Sequence, residues 1–205
     1  MALESHYYKD LIEAGCDEAG RGCLAGSVYA AAVILPADYD NPDLNDSKQL
    51  TLKKRLELRE QIQRDAVAWA VGVVTPEEID QINILKASHL AMRRAVEQLA
   101  VRPEAMIVDG NMYRAGLPEG VKEFTCIVKG DAKYQSIAAA SILAKTYRDD
   151  YMTELAKEYP YYGWEKNVGY PTKQHRQGIR EHGISSYHRK SYNLLGTGEL
   201  DLPFE

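Results

Sequence analysis

No stretch of this chain comes near the roughly 18 consecutive apolar residues that a membrane-spanning helix needs, so no contact with the bilayer interior is expected. Cysteine is scarce. Cys16, Cys23 and Cys126 make an odd set without a CxxC spacing, which argues against both a disulfide framework and a cysteine zinc site. Basic residues are in deficit, with 25 Lys and Arg against 30 Asp and Glu and a net charge of -5. A protein that grips nucleic acid over its whole surface is normally basic, so any polyanion must be met by a local patch. Internal repeats and low-complexity segments are absent. The first ten residues carry Glu4, Lys9 and Asp10, too polar for a secretory signal, and the cytoplasm is the expected compartment.

What remains is an ordinary globular composition, 45% hydrophobic and 27% charged over 205 residues, ample for one sizeable core. A single domain is expected over residues 1–195, with residues 196–205 a flexible tail. The missing positive charge is found locally. Between Tyr161 and Asn193 stand Lys166, Lys173, Arg176, Arg180, Arg189 and Lys190 against only Glu165 and Glu181, joined by His175, His182 and His188. Residues 160–195 therefore read as a basic helical subregion.

Hydrophobic periodicity places the elements. Val28 to Leu35 is a buried strand stopped by Pro36, and residues 37–46 form a loop. Thr51 caps a helix whose apolar stripe would be Leu52, Leu56, the Arg59 stem, Ile62 and Ala66. Val67 to Val74 is a β-branched strand. Thr75-Pro76-Glu77-Glu78 starts a helix by cap, proline and a returning glutamate, and one helix is expected through Ile79, Ile82, Leu85, Met92, Val96 and Leu99. Strands at Ala105 to Val108 and Phe124 to Val128 follow. Then comes a long amphipathic helix through Ile137, Ala140, Ala144, Tyr147, Tyr151 and Leu155, and a short one from Thr172 to His182 ended by Gly183. Early strands, then strand–helix alternation, then a helical tail predict an α/β fold with a mixed sheet flanked by helices and a C-terminal helical segment.

Within that pattern the stretch Gly15-Cys16-Asp17-Glu18-Ala19-Gly20-Arg21-Gly22 stands out. Adjacent carboxylates repel, and burying them is costly unless a cation or donors compensate. Asp109-Gly110 and Gly130-Asp131 repeat the motif of an acid at or just past an apolar strand, beside glycine. Strand ends at one edge of an α/β sheet form the usual active-site crevice. Oxygen ligands without cysteine or nearby histidine favour magnesium or manganese over zinc. The spacing predicts a metal-dependent phosphotransfer site.

The ordered set Asp17-Glu18-Ala19-Gly20-Arg21-Gly22, Asp46-Ser47-Lys48, Val108-Asp109-Gly110, Lys129-Gly130-Asp131, Ala139 through Lys145, Gly169-Tyr170-Pro171-Thr172 and Tyr187-His188-Arg189-Lys190-Ser191 resembles ribonuclease HII, the type-2 ribonuclease H family. The likeness runs from about Ala14 to Tyr192. It implies the ribonuclease H-like fold and hydrolysis of the RNA strand of RNA-DNA hybrids, with incision 5′ of ribonucleotides embedded in duplex DNA. It further implies two metal ions held by Asp17, Glu18, Asp109 and Asp131, and products with 3′-hydroxyl and 5′-phosphate ends. Gly20, Arg21 and Gly22 would bring backbone against the ribose 2′-hydroxyl and the scissile phosphate. Tyr170 would pack on the sugar, and Lys48 would reach a phosphate. Cys23 and Ser27 stand where many members have proline.

Other residues carry plainer expectations. His175 and His182 read as helix-surface residues that add to the basic patch, and His89 as a hydrogen-bonded packing residue. Lys145 and Arg148 read either as a solvated helix face or as phosphate contacts. Trp164, Tyr162 and Tyr187 read as core aromatics. The tail Glu199-Leu200-Asp201-Leu202-Pro203-Phe204 is similar to the short motif by which bacterial proteins dock on the replication sliding clamp, although that motif opens with glutamine. A monomer is expected. Two alternatives stand beside the main reading. A type-3 ribonuclease H usually carries an extra N-terminal domain, and sixteen residues precede Asp17 here. A non-catalytic nucleic-acid-binding module would use its acids for a structural ion.

Overall fold

The computed structural model describes residues 3–44, 47 and 50–196. Five strands form one sheet in the order β3-β2-β1-β4-β5: β1 Glu13–Ala19, β2 Val28–Ile34, β3 Ala68–Val74, β4 Ala105–Asp109 and β5 Glu123–Ile127. The first three are antiparallel neighbours, and β4 and β5 run parallel to β1. The sheet is mixed, as expected, and the carboxyl ends of β1, β4 and β5 share one edge.

Helices cover both faces. Helices α2 Pro76–Ile82 and α3 Ile84–Glu97 lie on one, where Ala14, Cys16, Val28, Met106 and Val108 meet Ala91, Met92 and Ala95. On the other lies α4 Gln135–Glu158, with α1 Leu52–Asp65 packed outside it. Gly15 explains how closely α4 approaches: a Cβ there would collide with the backbone of Ser136 and Ile137. Beyond α4 come the four-residue α5 Trp164–Asn167 and α6 Lys173–His182, which close a satellite core around Trp164, Tyr162 and Met152.

Three local expectations are corrected. Helix α1 buries Leu58 and Ile62, four residues apart, while Leu52 is 57% and Leu56 39% exposed. It rests on α4 along one narrow line, with Arg59 over the Tyr147 ring and paired with Asp150, so the wider stripe read from the sequence has nothing to face. The single helix expected after Thr75 is two. Its capping box forms, but Asn83, at φ 68, ends α2 and caps α3 by accepting from the Lys86 amide at 3.1 Å. Asparagine tolerates positive φ better than most residues, and the cap offsets part of its strain. Finally, α4 is not amphipathic in its first half. Gln135 through Ala144 are all buried, because the sheet covers one side and α1 with Leu35 and Leu44 covers the other. Among the described residues, no helix is long and apolar enough to cross a membrane.

Candidate active site

The acids gather at the carboxyl edge of β1 and β4. Because side chains alternate along a strand, Asp17 points to the α4 face and Glu18 to the α3 face. Cys16 is in register with Val108, which sets Asp109 beside Asp17. Asp17 is buried; its Oδ1 accepts from the Glu18 amide at 2.7 Å, and it also bonds to the Ser141 hydroxyl on α4. Ser141 lies 2.9 Å from the hydroxyl of buried Ser47, so Ser47 is anchored two hydrogen bonds from Asp17. Lys48 itself, like Asp46, lies outside the described residues.

Asp109 Oδ1 accepts from the Gly130 amide at 2.7 Å. That bond draws in the 3-10 turn Gly130–Ala132, which carries buried Asp131. Glu18 Oε1 accepts from Arg21 Nη1 at 3.0 Å. Burial pushes the Asp17 carboxyl well above the usual range, and the charges of Glu18 and Asp109 push it further. Burial also raises Glu18; Arg21 opposes that rise and Asp109 adds to it. Among the described residues no three acids, histidines or cysteines stand as a metal-ligand cluster, and Asp17, Glu18 and Asp109 each accept from a protein donor. The donor set nevertheless suits a hard divalent ion. It is all oxygen, largely buried, and made of like charges that a cation relieves.

A glycine turn adjoins the acids. Gly20 has φ 97, and any Cβ on it would run into Arg148. Gly22 looks toward Tyr170: a Cβ there would lie 4.0 Å from the Tyr170 ring. Tyr170 is 43% exposed and follows two left-handed residues, Val168 at φ 41 and Gly169 at φ 87. The Asn167 side chain braces this loop, accepting from the Gly169 amide and donating to the Tyr162 carbonyl. The Leu24 amide donates to the Gly169 carbonyl at 2.8 Å, tying the Tyr170 loop to the glycine turn. Arg21, Gly22 and Tyr170 thus form one surface beside Glu18, with Gly20 buried beneath it.

Several basic residues are not where the sequence suggested. Arg148 is neither on a solvated face nor at the surface. It is 1% exposed and donates to the carbonyls of Ser27, Ala25 and Val168. Its signal was present in the sequence, because Ala144, Arg148 and Met152 repeat at four-residue spacing on the buried stripe of α4. Arg189 is fully buried and holds the carbonyls of Gly20, Arg21 and Gly26. His175 and His188 are buried too, and burial pushes His188 down to about 4, so neither adds charge at neutral pH. His182 does lie at the surface, stacked on Tyr161. His89 is a buried acceptor for the Arg114 amide, as expected, and Trp164 and Tyr162 are core. The exposed basic set shrinks to Lys166, Lys173, Arg180 and Lys190. Half-buried Arg176 is turned to the Asn193 and Leu194 carbonyls. A cleft of about 610 Å³, lined by Pro171, Lys173, Gln174, Arg176, Gln177 and Arg180, opens next to Tyr170.

Known proteins resemble this chain in sequence and in fold. The family model described as ribonuclease HII matches residues 14–195. A ribonuclease HII of Phocaeicola vulgatus is 67% identical over 199 residues, covering 96% of each chain. The crystal structure of the ribonuclease H2 from Pyrococcus horikoshii OT3 superposes with a TM-score of 0.75 at 27% identity, covering 89% of this chain and 94% of that one. The ribonuclease HII in the PCNA complex from Archaeoglobus fulgidus superposes with a TM-score of 0.69 at 28% identity, covering 89% and 95%.

Proposed function

The chain belongs to the ribonuclease HII family and is a metal-dependent endoribonuclease, and on that premise we propose that it incises the strand 5′ of a ribonucleotide, whether in an RNA-DNA hybrid or embedded singly in duplex DNA. The observation that carries this reading is the Gly22–Tyr170 surface set against a buried Asp17 whose carboxyl is pushed up by burial and by the charges of Glu18 and Asp109.

Asp17, Glu18, Asp109 and Asp131 would hold the divalent ions, magnesium or manganese. When bound, two such ions activate the attacking water and steady the charge on the departing 3′ oxygen. The chain's own residues do the rest. Arg189 takes up the carbonyls of Gly20 and Arg21, so the amide side of the turn is the one offered to the 2′-hydroxyl. Glycine at 22 leaves no Cβ to hold a sugar off that backbone, and glycine at 20 makes room for Arg148 beneath the turn. Tyr170 packs on the sugar, so a nucleotide lacking the 2′-hydroxyl leaves the turn unpaired. Lys48 reaches a phosphate as a point charge, and the cleft lined by Lys173 and Arg180 follows the flanking backbone. The protein is proposed to act as a monomer in the cytoplasm.

End-group analysis tests the chemistry. Digestion of an RNA-DNA hybrid with magnesium is expected to leave 3′-hydroxyl and 5′-phosphate ends. A 2′,3′-cyclic phosphate would mean that the 2′-hydroxyl attacks rather than being read, and would refute the proposal.

Residues 199–204 lie outside the described residues. Their likeness to a clamp-docking motif, and the Archaeoglobus fulgidus relative in complex with PCNA, support a second proposal: this tail tethers the enzyme to the sliding clamp. Deleting residues 199–205 is expected to abolish clamp binding in a pull-down with the purified clamp while hydrolysis stays at the full-length rate. Undiminished clamp binding by the truncated chain would rule the tether out.

A further inference from the structure

Two neighbouring residues, His188 and Arg189, reach from the buried side of the site to both halves of the proposed ribose reader. The proton positions on the histidine side follow from donors that have no alternative. The Ser185 amide can only donate, and it lies 3.0 Å from His188 Nδ1. A neutral His188 therefore carries its hydrogen on Nε2, which is 3.1 Å from His175 Nε2. The Trp164 indole, also donor-only, points at that same His175 nitrogen from 3.0 Å. His175 Nε2 is thus an acceptor and its hydrogen sits on Nδ1, 2.9 Å from the Tyr170 carbonyl. The chain of bonds runs one way, from Ser185 through His188 and His175 to Tyr170. Burial lowers the pKa of both imidazoles, which keeps the pair neutral and the direction fixed at neutral pH.

Arg189 works toward the other half. Its guanidinium donates to Gly20 O at 2.7 Å, Arg21 O at 2.9 Å and Gly26 O at 2.9 Å, and its amide donates to Leu24 O at 2.9 Å. Residue 188 bridges Ala25 in an antiparallel pair. Among the described residues these guanidinium bonds go to carbonyls and to the Tyr192 hydroxyl. A planar fork can satisfy three carbonyls at once, and a lysine ammonium on a flexible stem cannot reproduce that geometry.

We propose that His188 and Arg189 are positioning residues that fix the spacing between the Tyr170 ring and the Gly20–Gly22 turn, and thereby set discrimination for a ribose. This rests on the ribose-reading role assigned to that surface. Neither residue touches substrate; each acts through a loop that does. Misplacing such a group by about 1 Å can cost on the order of 100-fold in rate, so a rigid buried brace has a large effect available to it.

The test uses the full chain with magnesium and a DNA duplex carrying one ribonucleotide, and reads kcat and KM separately. His188→Asn keeps an acceptor for Ser185 but has no donor that reaches His175. It is expected to lower kcat about tenfold or more with KM changed less than about twofold. His188→Gln, which restores a donor near the Nε2 position, is expected to recover most of that rate. In a Tyr170→Ala background, His188→Asn is expected to change kcat less than about twofold, because the ring it positions is gone. Arg189→Lys is expected to show the same kcat-weighted loss. An equal loss from His188→Asn with and without the Tyr170 ring marks general structural damage and overturns the proposal, as does wild-type kcat in His188→Asn. Should His188→Asn not fold, Arg189→Lys decides alone, and wild-type kcat there overturns it. Wild-type cleavage by Tyr170→Ala itself is a separate outcome, which removes the ribose-reading role and the proposal built on it.

Discussion

Asp109→Asn is expected to keep the fold and lose hydrolysis of an RNA-DNA hybrid by on the order of 10³-fold, the rate equivalent of several kcal/mol of lost charge stabilisation. The substitution isolates charge from structure. In the native chain Asp109 Oδ1 accepts from the Gly130 amide at 2.7 Å, and an asparagine Oδ1 accepts that bond equally well. The turn that carries Asp131 should therefore stay in place, and the melting temperature should stay close to that of the wild type. What disappears is one negative charge at an edge where Asp17 and Glu18 already repel, and with it the affinity for a divalent cation. Full hydrolysis by Asp109→Asn in magnesium would remove Asp109 from the chemistry.

Asp17→Asn is expected to abolish cleavage and yet to stabilise the ion-free protein. Burial and the neighbouring Glu18 and Asp109 raise the Asp17 carboxyl well above its ordinary value. The folded chain therefore holds that proton more tightly than the unfolded chain does. Stability conferred by the protonated form is present below the ordinary carboxylate range and is lost as pH rises through the raised value. At pH 8 without divalent ions, asparagine removes the repulsion while still accepting from the Glu18 amide. A gain on the order of 1 kcal/mol follows for each pKa unit of repulsion relieved, or roughly 2–4 °C in melting temperature for a chain of this size. The loss of stability as pH rises through the raised Asp17 value should disappear. Adding magnesium should raise the wild-type melting temperature by mass action and leave Asp17→Asn nearly unmoved. A lower melting temperature for Asp17→Asn in ion-free buffer at pH 8 would contradict the electrostatic account. Holding like charges together lowers stability in exchange for function.

The strands and most helix boundaries were legible because they rest on local rules. Proline at 36 and 76, the Thr75 cap and Gly183 each act within a few residues. The candidate carboxylates were legible as a pattern, because strand, acid and glycine recur at residues 17, 109 and 131, and the strand register sets Asp109 beside Asp17. What failed was tertiary. Whether α1 would be covered broadly or along the Leu58–Ile62 line depends on α4, far away in sequence. The same holds for α4, whose polar Gln135 and Ser141 are buried by partners no periodicity reveals. Arg189, His175 and His188 look basic and solvated when counted as charge. Their roles appear only once the 20–26 loop supplies carbonyls for Arg189 and the Tyr170 loop supplies one for His175. Asn83 carried a local signal, a capping residue ahead of Ile84, but the hydrophobic spacing across it hid the break.

The proposed enzyme reads a single ribose in duplex DNA and cuts beside it at one site. The most direct test is a DNA duplex with one embedded ribonucleotide, incubated with the full chain and magnesium and resolved on a denaturing gel. A single nick on the 5′ side of the ribonucleotide is expected, with no cutting of the all-DNA duplex. Cleavage confined to longer RNA tracts, or none at all in a protein that still binds the duplex, would contradict it.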